Sequence, residues 1–111
     1  MDITFRSTKL EKQCTDTKRA TKTWGPEQAR KIRQRLDDLR AAPHLGDFRS
    51  LPGRCHELKG DRAGQLSLDL VHLDRLLFKP NHDPVPTKPD GGLDWDAVTA
   101  IDILEVVDTH D

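Results

Sequence analysis

The sequence predicts a small α+β protein in which two N-terminal helices pack on one face of a small, mainly antiparallel sheet, in the order β-α-α-β-β-β-loop-β. Three observations lead to this prediction. Apolar residues recur at helical spacing between residues 10 and 39, alternate with polar ones in short segments after residue 54, and fill a final run at 100–107. With 111 residues, the chain has room for one modest core, so we expect a single domain over 1–111.

The N-terminal third of the chain is expected to form a strand and two helices. Residues 2–6 alternate and place Ile3 and Phe5 on one face. A helix should begin after Ser7, a suitable N-cap, and continue to Gly25. Gly25 and Pro26 then end this helix and begin the next, because glycine suits a helix end and proline a first turn. The second helix has a narrow apolar stripe and a basic remainder, which predicts a helical hairpin with one solvated basic side.

The rest of the chain is expected to form the sheet. After a loop at 42–53, short strands are predicted at 55–58, 66–70 and 75–78. The middle strand places three leucines on one face and Ser67 and Asp69 on the other. Residues 80–94 hold four prolines and two glycines, which predicts an irregular, exposed insertion. The last strand has branched apolar residues at both parities, which favours an interior strand covered on both faces.

Composition favours a soluble cytoplasmic protein. Charged residues make up 33% and hydrophobic residues 34% of the chain, and no stretch approaches the roughly 20 apolar residues of a membrane span. The net charge is −1, but residues 1–62 carry a balance of +6 and residues 63–111 a balance of −7. This asymmetry predicts either a basic face for a phosphate-rich partner or two halves that neutralise each other. Cys14 and Cys55 are interpreted as partly buried thiols.

The histidines and cysteines do not have metal-ligand spacing. His44, His56, His72, His82 and His110 lie on different segments, and no HxxxH, HxH or CxxC pair occurs. No glycine-rich phosphate loop or serine-centred elbow is present either. The sequence therefore predicts no metal and no cofactor.

RNA cleavage without a metal needs a base for the 2′-hydroxyl proton, a cation for the phosphorane, and an acid for the leaving 5′-oxygen. Histidine, lysine and arginine can fill these roles. One face of the sheet could gather the candidates, which are His56, Lys59, Arg62, Arg75 and His110. Simpler interpretations stay open: the segment HELKGDR is a solvated turn, His110 is a surface residue, and Arg75 pairs with Asp74 or Asp69.

Several segments together resemble a known family. LPGRCHELKGDRAGQLSL, DRLLFKP and DWDAVTAIDILEVVDTH, with the opening ITFRSTKLEK and the helix EQARKIRQRLDDLRAA, resemble the HigB toxins, or plasmid-maintenance killer proteins, of the RelE/ParE superfamily. The resemblance covers nearly the whole chain. It implies two helices against a curved antiparallel sheet. It also implies a type II toxin that cleaves mRNA on the ribosome as a metal-independent endoribonuclease (mRNA interferase).

The resemblance also assigns partners and site residues. It implies a cognate HigA-type helix-turn-helix antitoxin, with operator DNA reached only through the toxin–antitoxin complex, and no membrane. The catalytic residues that it implies are His56, Lys59, Arg75, Asp108 and His110. Arg54, Arg62 and Lys79 are assigned to RNA and phosphate binding, Arg62 because it matches the arginine of the turn motif.

Three positions depart from the family's pattern. Relatives often carry an aromatic residue at the position of Leu66 and a basic residue near the position of Asp69. The family's tyrosine before the terminal histidine is Thr109 in this sequence. A lost base-stacking ring is worth about 1–3 kcal/mol in single-strand binding, so activity could be weakened. Two alternatives therefore stay open: a gyrase poison of the ParE kind, and an inactive toxin that binds an antitoxin and operator DNA. The insertion 80–94 is either a partner-binding loop or an unspecialised one.

Overall fold

The computed structural model describes residues 1–108. Within these residues, the helices and strands are β1 (Asp2–Phe5), α1 (Thr8–Thr15), α2 (Thr17–Trp24), α3 (Pro26–Ala41), β2 (His56–Glu57), β3 (Leu66–Asp69), β4 (Asp74–Pro80) and β5 (Ala100–Asp108). Short 3₁₀ turns lie at Leu45–Arg49, Gly60–Arg62 and Trp95–Ala97. The five strands form one sheet in the order β1-β5-β4-β3-β2. In this sheet β1 and β5 pair in parallel, and the other pairs are antiparallel.

The predicted α+β fold, with helices against a mainly antiparallel sheet, is confirmed. The first predicted helix is instead two helices, α1 and α2, which meet at Asp16. This residue is extended, with φ −92° and ψ 113°, and its carboxylate accepts hydrogen bonds from the backbone N–H groups of Lys18 and Arg19. Aspartate side chains compete for nearby backbone donors in this way, which favours a cap over a continuous helix.

Replacing Asp16 by alanine should therefore lower the free energy of unfolding by about 1 kcal/mol, because two N–H groups at the start of α2 lose their acceptor. Urea unfolding followed by circular dichroism measures this change. Asp37→Ala is the matched control, since Asp37 lies inside α3 and only forms an exposed ion pair with Arg40. We expect a change within about 0.5 kcal/mol for the control. Equal losses in the two variants would contradict the capping role.

The core lies between α3 and the inner face of the sheet. Leu66 and Leu68 of β3 and Leu76 and Phe78 of β4 are fully buried there. The predicted loop at 42–53 is irregular in path, but its 3₁₀ turn also contributes to the core. Leu45 and Phe48 in that turn are 0% and 2% exposed, because the turn folds back over the end of the sheet. The remaining members of the cluster from α3 and β5 are Ile32, Leu36, Leu39, Ile101 and Ile103.

The central strand β4 is buried on both faces, and so is most of β3, where Ser67 is as fully buried as its leucine neighbours. The predicted interior position of β5 is confirmed, since it lies between β1 and β4. However, the C-terminal half of β5 is only half-buried, so the expectation that it is covered on both faces is wrong there. A register shift explains why apolar residues at both parities of β5 reach the core. Leu77 and Phe78 of β4 pair with Glu105 and Ile103, so β5 has one extra residue at this point, and Ile103 and Val106 both contact the core.

The insertion 80–94 is irregular and largely exposed, as predicted. One isolated bridge joins Thr87 and Leu93. The insertion is attached to the sheet through His82, whose Nε2 accepts hydrogen bonds from the backbone N–H groups of Thr99 and Ala100.

Both cysteines are free thiols, and the prediction of partial burial is confirmed. Burial raises the pKa of Cys14 to about 11. Burial, and then the charge of Glu57, raise the pKa of Cys55 to about 12. Both thiols are therefore protonated at neutral pH and are poor nucleophiles. Within residues 1–108, no helix combines the length and the apolar character that crossing a membrane would require.

Candidate functional site: the outer face of the sheet

The face of the sheet that lies opposite the helices gathers most of the polar candidates. The strand register aligns His56, Ser67, Leu77 and Glu105 in one row across β2, β3, β4 and β5. The next row on the same face holds Asp69, Arg75 and Val107. We call this surface the outer face and define it by the following residues: His56, Ser67, Asp69, Arg75, Leu77, Glu105 and Val107.

His56 is held on the outer face by both ring nitrogens. Its Nδ1 lies 2.8 Å from the carbonyl oxygen of Arg54, and its Nε2 lies 3.4 Å from the hydroxyl of the fully buried Ser67. A carbonyl oxygen can only accept, so Nδ1 carries the proton and donates it. In the neutral ring, Nε2 then has the lone pair and accepts from Ser67. This tautomer leaves Nε2 able to act as a general base.

Asp69 lies between two arginines. The Nε of Arg54 is 2.6 Å from Oδ2 of Asp69, its Nη2 is 3.4 Å from Oδ1, and the Nε of Arg75 is 3.6 Å from Oδ1. The hydrogen bond that Arg54 donates to Asp69, and then the charge of Asp69, raise the pKa of Arg54. The sequence left Asp74 and Asp69 open as partners of Arg75. In the structure Asp69 contacts Arg75, whereas Asp74 accepts a hydrogen bond from Gln28 of α3.

A second carboxylate, Glu105, also lies between two arginines. Its two oxygens are each 3.8 Å from a guanidinium nitrogen, one of Arg6 and one of Arg62. Arg6 and Glu105 were not among the predicted site residues. Glu105 was detectable in the sequence as a charged residue inside the apolar run of β5, because such a residue indicates the face of an interior strand that does not pack in the core.

The structure brings together His56, Arg54, Arg62 and Arg75 among the predicted site residues. Lys59 is exposed at the start of the turn Gly60–Arg62, in which Gly60 has a φ of +64° that favours glycine.

The strand register places two further predicted site residues, Lys79 and Asp108. Lys79 shares the parity of Arg75 and lies opposite Asp102 of β5, two residues beyond Leu77. Asp108 lies opposite Asp74 at the end of β5, with the parity of the inner face rather than that of Glu105. His110 lies outside the described residues, as does Thr109.

The two carboxylates of the outer face, Asp69 and Glu105, are each paired with two arginines. Of these arginines, Arg75 lies in β4, Arg6 directly follows β1, and Arg54 and Arg62 lie on either side of β2. Over residues 1–108, no three histidine, cysteine or acidic side chains converge in a way that could hold a metal ion.

The fold is similar to that of a solved toxin structure. A YoeB/ParE toxin from Agrobacterium tumefaciens superposes with a TM-score of 0.60 at 13% sequence identity, and the match covers 99% of this chain and 100% of that chain. No family model and no curated protein matches the sequence. At this identity the likeness shows the fold, so the chain has the architecture of the RelE/ParE class of toxins. A closer relation to the HigB type stays a prediction.

Proposed function

We propose that this protein is the toxin of a type II toxin–antitoxin system and cleaves mRNA on the ribosome. The observation that carries the proposal is the 2.8 Å contact of His56 Nδ1 with the Arg54 carbonyl, which leaves Nε2 as the basic nitrogen on a face bordered by arginines. An acid–base group beside phosphate-binding cations is what phosphodiester cleavage requires. Binding to gyrase or to an antitoxin alone would require no such base.

The proposed reaction needs no metal in any step. Nε2 of His56 takes the proton of the RNA 2′-hydroxyl, and the 2′-oxygen attacks the adjacent phosphorus. Arg75 and Lys59 stabilise the charge on the phosphorane, while Arg54, Arg62 and Lys79 bind flanking phosphates. The bond to the 5′-oxygen breaks, with that oxygen protonated by His110, which Asp108 supports. The products are a 2′,3′-cyclic phosphate and a 5′-hydroxyl end.

The proposal includes its partners. A HigA-type helix-turn-helix antitoxin neutralises the toxin in the cytoplasm, and operator DNA is bound only through that complex. The ribosome supplies the message and adds contacts that a 111-residue protein with a net charge of −1 lacks.

The structure also favours a second candidate, a non-catalytic protein on the same fold. Asp69 and Glu105 each neutralise arginines that a nuclease would present to phosphate. An inactive toxin that only binds its antitoxin, or a gyrase poison, could keep such pairs without loss.

One experiment separates these candidates. The chain is expressed alone and together with its neighbouring antitoxin gene, and the ends of cellular messages are mapped. Growth arrest with newly cut, translated messages supports the ribonuclease. Arrest with intact messages and broken DNA identifies a gyrase poison, whereas harmless expression of folded protein identifies an inactive toxin.

A further inference from the structure

Every polar group of Asp69 is engaged in the structure. Its backbone N–H donates to the carbonyl of Gly53 at 2.7 Å, and its carbonyl accepts from Nε of the buried Arg35 at 2.9 Å. Its carboxylate accepts a hydrogen bond from Nε of Arg54 at 2.6 Å and lies 3.6 Å from Nε of Arg75. The backbone of Asp69 is therefore held from the helix side, and its carboxylate is held by arginines at the outer face. Such an arrangement holds a negative charge at one defined point.

Arg54 meets this carboxylate as it would meet a phosphate, and Arg75 lies within ion-pair distance of it. Arg54 uses Nε and Nη2 on the two carboxylate oxygens, which is the planar fork that guanidinium groups also offer to phosphate oxygens. The Arg54 side chain is 67% exposed and the Arg75 side chain 10%, so a ligand from solvent meets Arg54 first. The Nε group of Arg75 faces Asp69.

The backbone favours this arrangement. Arg54 has a φ of +48°, which non-glycine residues rarely adopt, and it follows Gly53 at +114°. A Cβ at residue 53 would lie 2.9 Å from Leu68 and 3.2 Å from the Arg35 guanidinium, so this segment fits closely against β3. The close fit places the start of the Arg54 side chain beside Asp69.

We infer that Asp69 is a built-in competitor for RNA phosphate: its carboxylate occupies the position on Arg54 and Arg75 that a substrate phosphate takes, and the substrate must displace it. The inference rests on the proposed function, since it concerns the same RNA site. When RNA binds, its phosphate replaces the Asp69 carboxylate on the arginines. Because the contacts of Asp69 must be broken first, they lower the affinity of the protein for RNA. Glu105 has no equal role, because neither of its arginines comes closer than 3.8 Å, whereas Arg54 hydrogen-bonds Asp69 at 2.6 Å.

The direct test is Asp69→Asn, with Asp61→Asn as the matched control. Both variants lose one negative charge near the site, but Asp61 lies on the exposed turn Gly60–Arg62. Binding of a short single-stranded RNA is measured by fluorescence anisotropy between about 50 and 200 mM salt. D69N should bind about tenfold more tightly than wild type, with a salt slope steeper by about 0.7 for each arginine released. D61N should differ from wild type by less than about twofold.

A double-mutant cycle tests whether the gain passes through Arg54. In an Arg54→Gln background, the gain from D69N should fall to about threefold, because only Arg75 is then released. Equal RNA affinities of D69N and D61N, or weaker binding by D69N, would overturn the inference. Weaker binding would show that Asp69 positions the arginines for the substrate and does not compete with it.

Wild-type protein gives a measurement that does not depend on the folding of a variant. A 5′-phosphorylated dinucleotide at saturation should shift the Arg54 Nε–H resonance and speed its exchange with water, as the bond to Asp69 breaks. An unchanged resonance overturns the inference. Failure of the proposed function is a separate result: messages stay uncut in cells, whatever the relative RNA affinities of D69N and D61N.

Discussion

Replacing His56 by asparagine is expected to lower the rate of message cleavage by about 10²- to 10⁴-fold, the range that general acid–base groups contribute. The asparagine amide can still donate to the Arg54 carbonyl, as Nδ1 does at 2.8 Å. It has no basic nitrogen at the position of Nε2, so the 2′-hydroxyl proton has no acceptor. The variant therefore removes the proposed base and keeps the hydrogen bond that holds the turn. Cleavage is measured with purified ribosomes and a defined message, with RNA binding measured in parallel.

The matched control is His72→Asn. His72 lies exposed in the turn between β3 and β4 with a φ of +57°, a conformation that asparagine tolerates well. This variant should cleave messages as wild type does. H56N should keep wild-type RNA affinity within about threefold, since the ring is proposed to act on a proton and not to bind phosphate. Full cleavage activity in a folded H56N protein would remove the base from the mechanism.

Strand alternation made much of the site predictable from the sequence. The leucines of β3 pointed to the core, so Ser67 and Asp69 had to face the other way, and the structure places both on the outer face. The same rule placed Arg75 with them, opposite to Leu76. The turn HELKGDR was predicted correctly, and Lys59–Arg62 lies where glycine lets the chain reverse.

Interactions between distant parts of the chain were not predictable in this way. Arg6, directly after β1, and Arg62, in the turn Gly60–Arg62, meet Glu105 of β5 only because β1 pairs with β5 in parallel and β5 lies next to β4. The alternation of apolar and polar residues within one segment does not show which strands become neighbours in the sheet. The competition inferred for Asp69 has the same origin, because Arg54 is fifteen positions away in the chain and Arg35 thirty-four.

In the N-terminal helices, the capping hydrogen bonds of one side chain outweighed the apolar periodicity of the sequence. The apolar spacing from residue 10 to residue 24 favoured one helix, but Asp16 satisfies the N–H groups of α2 and ends α1. Similarly, the proline and glycine content of 42–53 predicted a loop, and composition could not show that Leu45 and Phe48 would be buried. A loop that covers the end of a sheet adds core without adding a regular element.

Replacing Arg75 by alanine is expected to lower message cleavage by about 10²- to 10³-fold, the loss seen when one stabilising donor of a transition state is removed. Arg75 is buried in the middle strand of the sheet, and its row adjoins that of His56. Charge builds up on the phosphorane only during the reaction, so the rate should suffer more than binding. RNA affinity should fall by no more than about tenfold.

The Lys79→Ala variant distinguishes stabilisation of the phosphorane by Arg75 from general electrostatic attraction of RNA. Lys79 is an exposed cation on the same strand and at the same parity, four residues beyond Arg75. Its loss should weaken RNA binding by about threefold and leave the rate at saturating message unchanged, since a distant cation acts alike on ground and transition states. Equal effects of the two substitutions on binding and on rate would show that Arg75 only attracts RNA.

Arg75→Lys then distinguishes positive charge from the guanidinium fork. Lysine keeps the charge but offers a single ammonium group, which cannot bind two phosphate oxygens in a plane. If Arg75 stabilises the phosphorane by charge alone, R75K should recover most of the rate lost in R75A. If it acts through its planar guanidinium, whose Nε lies 3.6 Å from Asp69 in the resting protein, R75K should recover less than a tenth of it. We expect the second result, because Arg75 directs its Nε towards a carboxylate oxygen in the resting protein and would direct the same group towards phosphate.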